Sequence, residues 1–201
     1  LPMVSRTGLF LCLCLFLALP VLTAQGCGSS TLSCLSFDGV NDVARIGNPA
    51  SGALDGFTDF TIECWYRIAP GATGLPTLVS KWRQNQSTCY LLRYNFSVGR
   101  MEFYLNNSGP HLSNVSSVWA DGAWQHVAVT RAGTTLTMFR DGSQVATSTA
   151  GIVMPSNTAP VMLGCFNASN DTPVAQTFMN GAIDEVRIWN VALSATMIQL
   201  Q

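Results

Sequence analysis

Four side chains have the chemistry of a calcium site. Asp38, Asn41 and Asp42 fall within Phe37-Asp38-Gly39-Val40-Asn41-Asp42, and Asp184 falls within Gly181-Ala182-Ile183-Asp184-Glu185-Val186-Arg187-Ile188-Trp189. Calcium takes about six to eight oxygen ligands, which carboxylates, an Asn side chain and loop carbonyls supply together. Pairing of the first and last strands of a sandwich would bring these acids close, so a structural calcium is expected there. The competing reading is that Asp38 and Asn41 close a turn through side-chain to backbone bonds while Asp184 pairs with a local arginine.

A second chemistry is saccharide binding, in which a sugar ring stacks on an aromatic face while amides and carboxylates bond its hydroxyls. Trp65, Trp82, Tyr94 and Trp119 are the candidate aromatics. If Ile62, Cys64 and Tyr66 face the core, period-2 alternation places Trp65 and Glu63 together on the opposite face of that strand. Hydrolysis is disfavoured. Two carboxylates must flank a glycosidic bond, yet Asp184 and Glu185 are adjacent and face opposite sides of a strand, while Glu63 and Glu102 stand alone in sequence. The chain has two histidines, His111 and His126, and no Gly-x-Ser-x-Gly elbow. His126 reads as a hydrogen-bonded sheet histidine. No catalytic residue is assigned.

These side chains need strands to position them. Residues 60–67, 77–82, 89–94, 100–105, 124–131, 136–140, 143–147 and 161–164 are short runs rich in aromatic or β-branched residues and bounded by turn formers. Residues 183–189 alternate as a closing strand, and 43–46 continue the first acidic element. Asp141-Gly142 marks a two-residue hairpin that sets Met138 opposite Val145, and Ser194 caps a short C-terminal helix. The fold class is all-β, an antiparallel two-sheet jelly-roll sandwich.

Ahead of these strands, the apolar run from Leu9 to Leu22 is too short to span a bilayer comfortably and ends in Thr23-Ala24, as a secretory signal peptide does. The organisation is therefore a signal over 1–24, a lead-in over 25–34 and one domain over 35–201, with no membrane insertion once the signal is removed. The chain holds 10 Lys+Arg against 11 Asp+Glu, a balance that excludes the strong basic field nucleic acid requires. Six sequons, at Asn85, Asn95, Asn106, Asn114, Asn167 and Asn170, point to a glycosylated, secreted protein. Cys27, Cys34, Cys64, Cys89 and Cys165 remain after the signal; two disulfides and one leftover thiol are expected in an oxidising compartment, with the pairing left open. Cys27 is the expected odd thiol and a route to self-association.

Phe37-Asp38-Gly39 with Asn41-Asp42, Phe60-Thr61-Ile62-Glu63 before Trp65, Trp124 with His126-Val127-Ala128-Val129-Thr130, Asp141-Gly142, and Gly181 with Ile183-Asp184-Glu185-Val186-Arg187-Ile188-Trp189 resemble the laminin G-like, concanavalin A-like jelly roll, in family order from Leu35 to Gln199. The resemblance implies binding of carbohydrate, protein or calcium, and a structural calcium in agreement with the acidic residues above. The related pentraxins carry a cysteine matching Cys64, but its bridging partner would fall in Val127-Ala128-Val129, so that bridge cannot form here. The expected function is a secreted, non-catalytic binding module for carbohydrate or an extracellular protein; the alternative is an adhesive subunit of an extracellular assembly. Because Ser194 to Gln201 begins like a short helix and places an apolar residue, Leu200, one position from the terminus, the chain is further expected to be one module of a longer protein.

Overall fold

The computed structural model describes residues 33–47, 54–84, 88–106, 108–168 and 172–200. The leader, Cys27, Asn85 and Asn170 lie outside them. Among the described residues two antiparallel sheets of six strands each pack face to face. Sheet A contains β1 (Leu35–Asp38), β3 (Phe60–Ile68), β8 (Gln125–Ala132), β9 (Thr135–Arg140), β10 (Ser143–Thr149) and β12 (Asn180–Trp189), in the order β1-β12-β3-β8-β9-β10. Sheet B contains β2 (Ala44–Ile46), β4 (Thr77–Lys81), β5 (Tyr90–Asn95), β6 (Arg100–Leu105), β7 (Ser108–Val115) and β11 (Val161–Leu163), ordered β2-β11-β4-β5-β6-β7. One short α-helix, α1 (Ala195–Gln199), follows, and the Ser194 side chain accepts a hydrogen bond from the Met197 N–H, the cap read from sequence.

Alternation along the strands decides what lies inside. Phe60, Ile62, Cys64, Tyr66 and Ile68 of β3 meet Tyr90, Leu92 and Tyr94 of β5 and Met101, Phe103 and Leu105 of β6 in one apolar core. The intervening residues of β5 and β6 therefore project from the outside of sheet B. Outside sheet A, α1 and the segment before it pack Ile198 and Leu193 on Ala128 and Phe139, with Trp189 alongside. This cover explains why β3 is buried on both faces for most of its length. Gly181 permits β12 to approach β3 at φ +149°, where a Cβ would collide with the Arg67 carbonyl.

The Asp141-Gly142 hairpin forms, with φ +48° and +76° at its two turn residues. Its register differs from the expectation: Met138 pairs with Ala146, because a bulge between Gln144 and Ala146 displaces Val145. β7 carries no strand signal in the sequence. Its residues are mostly polar, and it contains Pro110 on the edge of sheet B, where a missing N–H is tolerated.

A buried ion pair ties the loops to the core. Lys81 Nζ lies 3.0 Å from Asp55 Oδ2, with both side chains fully enclosed. The ammonium also donates to the Asn157 and Ala159 carbonyls and to Asn157 Oδ1. Asp55 accepts the Asn157 N–H as well, so residues 54–59 and 154–160 are held against β4.

The expectation of two disulfides is corrected. Cys64, Cys89 and Cys165 are free and buried, and Cys34 is disulfide-bonded. Cys64 faces the core and pairs in register with Val127, and Cys89 Sγ approaches the Pro155 carbonyl at 3.1 Å. Burial pushes the Cys89 and Cys165 thiols up to about 12, which suppresses the thiolate that exchange requires. These three sulfurs are therefore unsuited to crosslinking two chains.

Two outcomes follow from this packing. Asp55→Ala leaves the enclosed ammonium short of its counter-ion and should cost about 3–5 kcal/mol in urea unfolding, the usual range for breaking a buried pair; a loss below about 1 kcal/mol would contradict the role given to the pair. Thiol reagents should leave Cys64, Cys89 and Cys165 unmodified in the native protein and label all three after denaturation, as read by intact mass; rapid native labelling would contradict their enclosure.

Candidate functional site

The outer face of sheet B carries a preorganised polar cluster. Arg93 and Glu102 are direct cross-strand partners on β5 and β6. Alternation brings Asn95, Arg100 and Tyr104 to the same face. The Glu102 carboxylate is fully buried yet lies outside the core, and four donors converge on it. Oε1 accepts from Arg100 Nε at 2.7 Å and Asn95 Nδ2 at 3.2 Å, while Oε2 accepts from Arg93 Nε and the Tyr104 hydroxyl, each at 3.0 Å. Arg93 also donates a terminal N–H to the Tyr104 oxygen at 2.7 Å, and its guanidinium carbon lies 4.7 Å from the centre of that ring.

Burial opposes ionisation of Glu102, but the hydrogen bonds from Arg100 and Arg93 outweigh it and hold the carboxyl below its ordinary range. Burial raises the Tyr104 phenol. The cluster therefore carries one net positive charge at neutral pH. Beside it, Trp82 packs edge-on against Tyr104 at 5.8 Å and against Phe166 at 6.4 Å. Trp82, expected as a stacking surface, is 8% exposed and instead supports Tyr104 from the side.

The other aromatics divide between core and surface. Tyr94 faces inward and makes an edge contact with Phe96 at 4.9 Å. Trp119 is fully buried, donates to Asn114 Oδ1 at 2.9 Å and lies under Arg140. Neither can stack on a ligand, which corrects both assignments. Trp65 and Glu63 do share the outer face of sheet A, as alternation required. Trp65 is half-buried against His126, with ring centres 5.4 Å apart. Glu63 has no exposed surface; its Oε1 accepts from Trp189 Nε1 at 2.9 Å. His126 is not the hydrogen-bonded histidine expected. Both ring nitrogens are buried without a hydrogen-bond partner, Nε2 lying 3.5 Å from Glu63 Oε2.

β1 and β12 pair as anticipated, but their register keeps the acids apart. Asp38 lies opposite Asn180, and Leu35 opposite Ile183. Asp184 thus falls beyond the far end of β1, about 13 Å along the strand from Asp38. Asp38 Oδ1 accepts the N–H groups of Val40, Asn41 and Asp42, and Asp42 Oδ2 accepts that of Asp38. The turn closes on itself, and these bonds, led by the one from Val40, hold the Asp38 carboxyl below its usual range. Asp184 accepts the Glu185 N–H at a bulge where Glu185 has φ +49°, and Arg187 pairs with Glu185. Burial raises the Asp184 carboxyl. Among the described residues no three His, Cys, Asp or Glu side chains group as metal ligands.

The sequons also divide. Asn106 is exposed. Asn95 and Asn114 use their amides internally, Asn95 with Glu102 and Ser97, and Asn114 with Trp119 and the Val145 carbonyl. Asn167 is fully buried, so the folded structure has no room for a glycan on its amide, which corrects that assignment.

Two antiparallel six-stranded sheets in this order, with no closed barrel, define a concanavalin A-like sandwich. The chain belongs to the concanavalin A-like lectin/glucanases superfamily, whose Laminin G 3 family model matches residues 38–199. Among solved structures it is similar to the native heptameric SAP-like pentraxin from Limulus polyphemus, at 16% identity and a TM-score of 0.62 over 82% of this chain and 78% of that one. It is also similar to the CBM40 of the Ruminococcus gnavus IT-sialidase bound to α2,3 sialyllactose, at 17% identity and 0.58, over 80% and 96%. Domain 4 of the extracellular arabinanase AbnA from Geobacillus stearothermophilus, in complex with arabinotriose, matches at 14% identity and 0.55, over 85% and 77%. At these identities the likeness is one of fold. No curated protein matches the chain.

The electrostatics of Glu102 give a direct readout. A carboxyl whose folded pKa is depressed contributes stability above its unfolded value of about 4.3, and that contribution is lost as pH falls through the folded value. The Glu102 side-chain carbon resonance should therefore titrate below the ordinary glutamate range, and Arg100→Gln should move its midpoint upward. An ordinary midpoint in the wild-type protein would contradict the network.

Proposed function

We propose that this chain is a secreted, non-catalytic module that binds carbohydrate on the outer face of sheet B. The observation that carries the reading is the convergence of Arg93, Asn95, Arg100 and Tyr104 on the enclosed Glu102 carboxylate. Such a network fixes donors and an aromatic ring before any ligand arrives, which lowers the ordering cost of binding. The opposite sheet carries α1 and Trp189 on its outer face, whereas Arg100 and Tyr104 on sheet B retain accessible surface. The sugar complexes of the CBM40 and AbnA domains support the ligand class.

A binding role also suits the chemistry of this face. Glu102 is held ionised by four donors, so it cannot act as the proton-donating acid that glycoside hydrolysis requires. Secretion and glycosylation rest on the leader and on sequons such as Asn106. The calcium expected from the sequence is no part of this reading, because Asp38 spends Oδ1 on three turn N–H groups and Asp184 lies about 13 Å along the strand from it.

Calorimetric titration with oligosaccharides selected on a glycan array tests the reading. Tyr104→Ala should weaken binding about tenfold or more, as loss of an aromatic contact and its hydrogen bonds does, while Trp65→Ala on the other sheet leaves it unchanged. Binding should persist in chelator. Absence of glycan binding, or dependence on Trp65 and not Tyr104, would refute the assignment.

A further inference from the structure

We infer that the saccharide taken by this face carries an anionic group, a carboxylate or a sulfate, seated between Arg93 and Arg100. The inference rests on the carbohydrate-binding reading above and concerns which saccharides that same site selects. Donors and acceptors on this face are unequally used. Glu102 is occupied by Arg93, Asn95, Arg100 and Tyr104. The Asn95 side-chain oxygen accepts from the Ser97 N–H and hydroxyl. The Tyr104 oxygen accepts from Arg93 while donating to Glu102.

What these residues leave unspent is on the donor side. Both arginines are anchored to the carboxylate through Nε, which frees terminal N–H groups. Arg100 donates from neither terminal nitrogen to a described residue, and Arg93 commits only one of its two. Arginine has five N–H donors and no acceptor. Ser113, the cross-strand neighbour of Glu102 on β7, adds a hydroxyl that can serve either way.

A neutral sugar offers hydroxyls that both donate and accept, and it would leave much of this donor surface poorly matched. A carboxylate or sulfate offers only acceptors and fits the planar guanidinium geometry. Charge points the same way. One arginine would neutralise Glu102; the second leaves a net positive charge in which the Arg100 side chain is 31% exposed and Arg93 13%. An incoming anion therefore meets guanidinium groups whose orientation is already set by a shared partner.

The test uses the full chain and immobilised oligosaccharides in matched triplets: a neutral core, the same core capped with a uronic or sialic acid, and the same core sulfated. The wild-type protein should bind one or both acidic forms at least about tenfold more tightly than the neutral core, and the preference should shrink as salt is raised. Arg100→Gln and Arg93→Gln should bring the acidic-to-neutral ratio toward one, and Arg100→Lys, which keeps the charge but not the planar fork, should retain part of it. Thermal melts establish that each variant is folded; the partly exposed Arg100 pair of variants decides the matter if Arg93→Gln does not fold. Equal affinity for all three forms overturns the inference and leaves the carbohydrate-binding reading standing. Failure to bind any form overturns both. An acidic preference that survives Arg93→Gln and Arg100→Gln alike places the anion elsewhere and also overturns the inference.

Discussion

Glu102 is a fully enclosed carboxylate on the side of sheet B that faces away from the sandwich core, and the order of that face depends on its charge. An ionised carboxylate without exposure survives only when donors replace the water it has lost. Here the replacements are two arginines, an asparagine and a tyrosine from the same two strands. Each donor is consequently fixed in direction. The pairing of Arg93 with Glu102 is possible because β5 and β6 run antiparallel in the register that also sends Leu92 and Phe103 inward together. Core packing and site geometry are thus two consequences of one alternation.

The two outer faces of the sandwich are used differently. Sheet A presents Ala128, Phe139 and Trp189, which Leu193 and Ile198 cover. Next to this cover, Glu63 and His126 are drawn below the surface, and Trp65 remains only half-buried. Sheet B presents charged and amide side chains beside the aromatic group formed by Trp82, Tyr104 and Phe166. One face has therefore become packing and the other can become recognition, although the sheets have equal numbers of described strands. Fold membership by itself does not make that distinction; the side chains do.

Much of the architecture was legible in the sequence because period-2 alternation is strong in β3, β5, β6 and β8. The same alternation placed Trp65 and Glu63 on one outer face. Register was less legible. The β10 bulge moves Ala146 opposite Met138, and the β1–β12 register separates Asp38 from Asp184. Glu102 looked isolated because its partners are cross-strand neighbours or alternate residues. A polar alternation on both arms of the 90–105 hairpin, with Arg93 and Asn95 on one arm and Arg100, Glu102 and Tyr104 on the other, was the signal that could have found it. Tyr94 follows the β5 alternation of Tyr90 and Leu92 into the core, whereas burial of Trp119 and Asn167 depends on long-range packing that local sequence does not encode. The same holds for the three thiols, each enclosed by neighbours other than a second sulfur.

The most direct measurement is a map of amide and side-chain chemical-shift changes as an acidic oligosaccharide is titrated into the labelled protein. The largest changes should fall on Arg93, Arg100, Glu102 and Tyr104, with Trp65 and Arg187 on the opposite sheet unaffected. Saturable changes centred on Trp65, Glu63 and Arg187 with β5 and β6 silent would contradict this placement of the site.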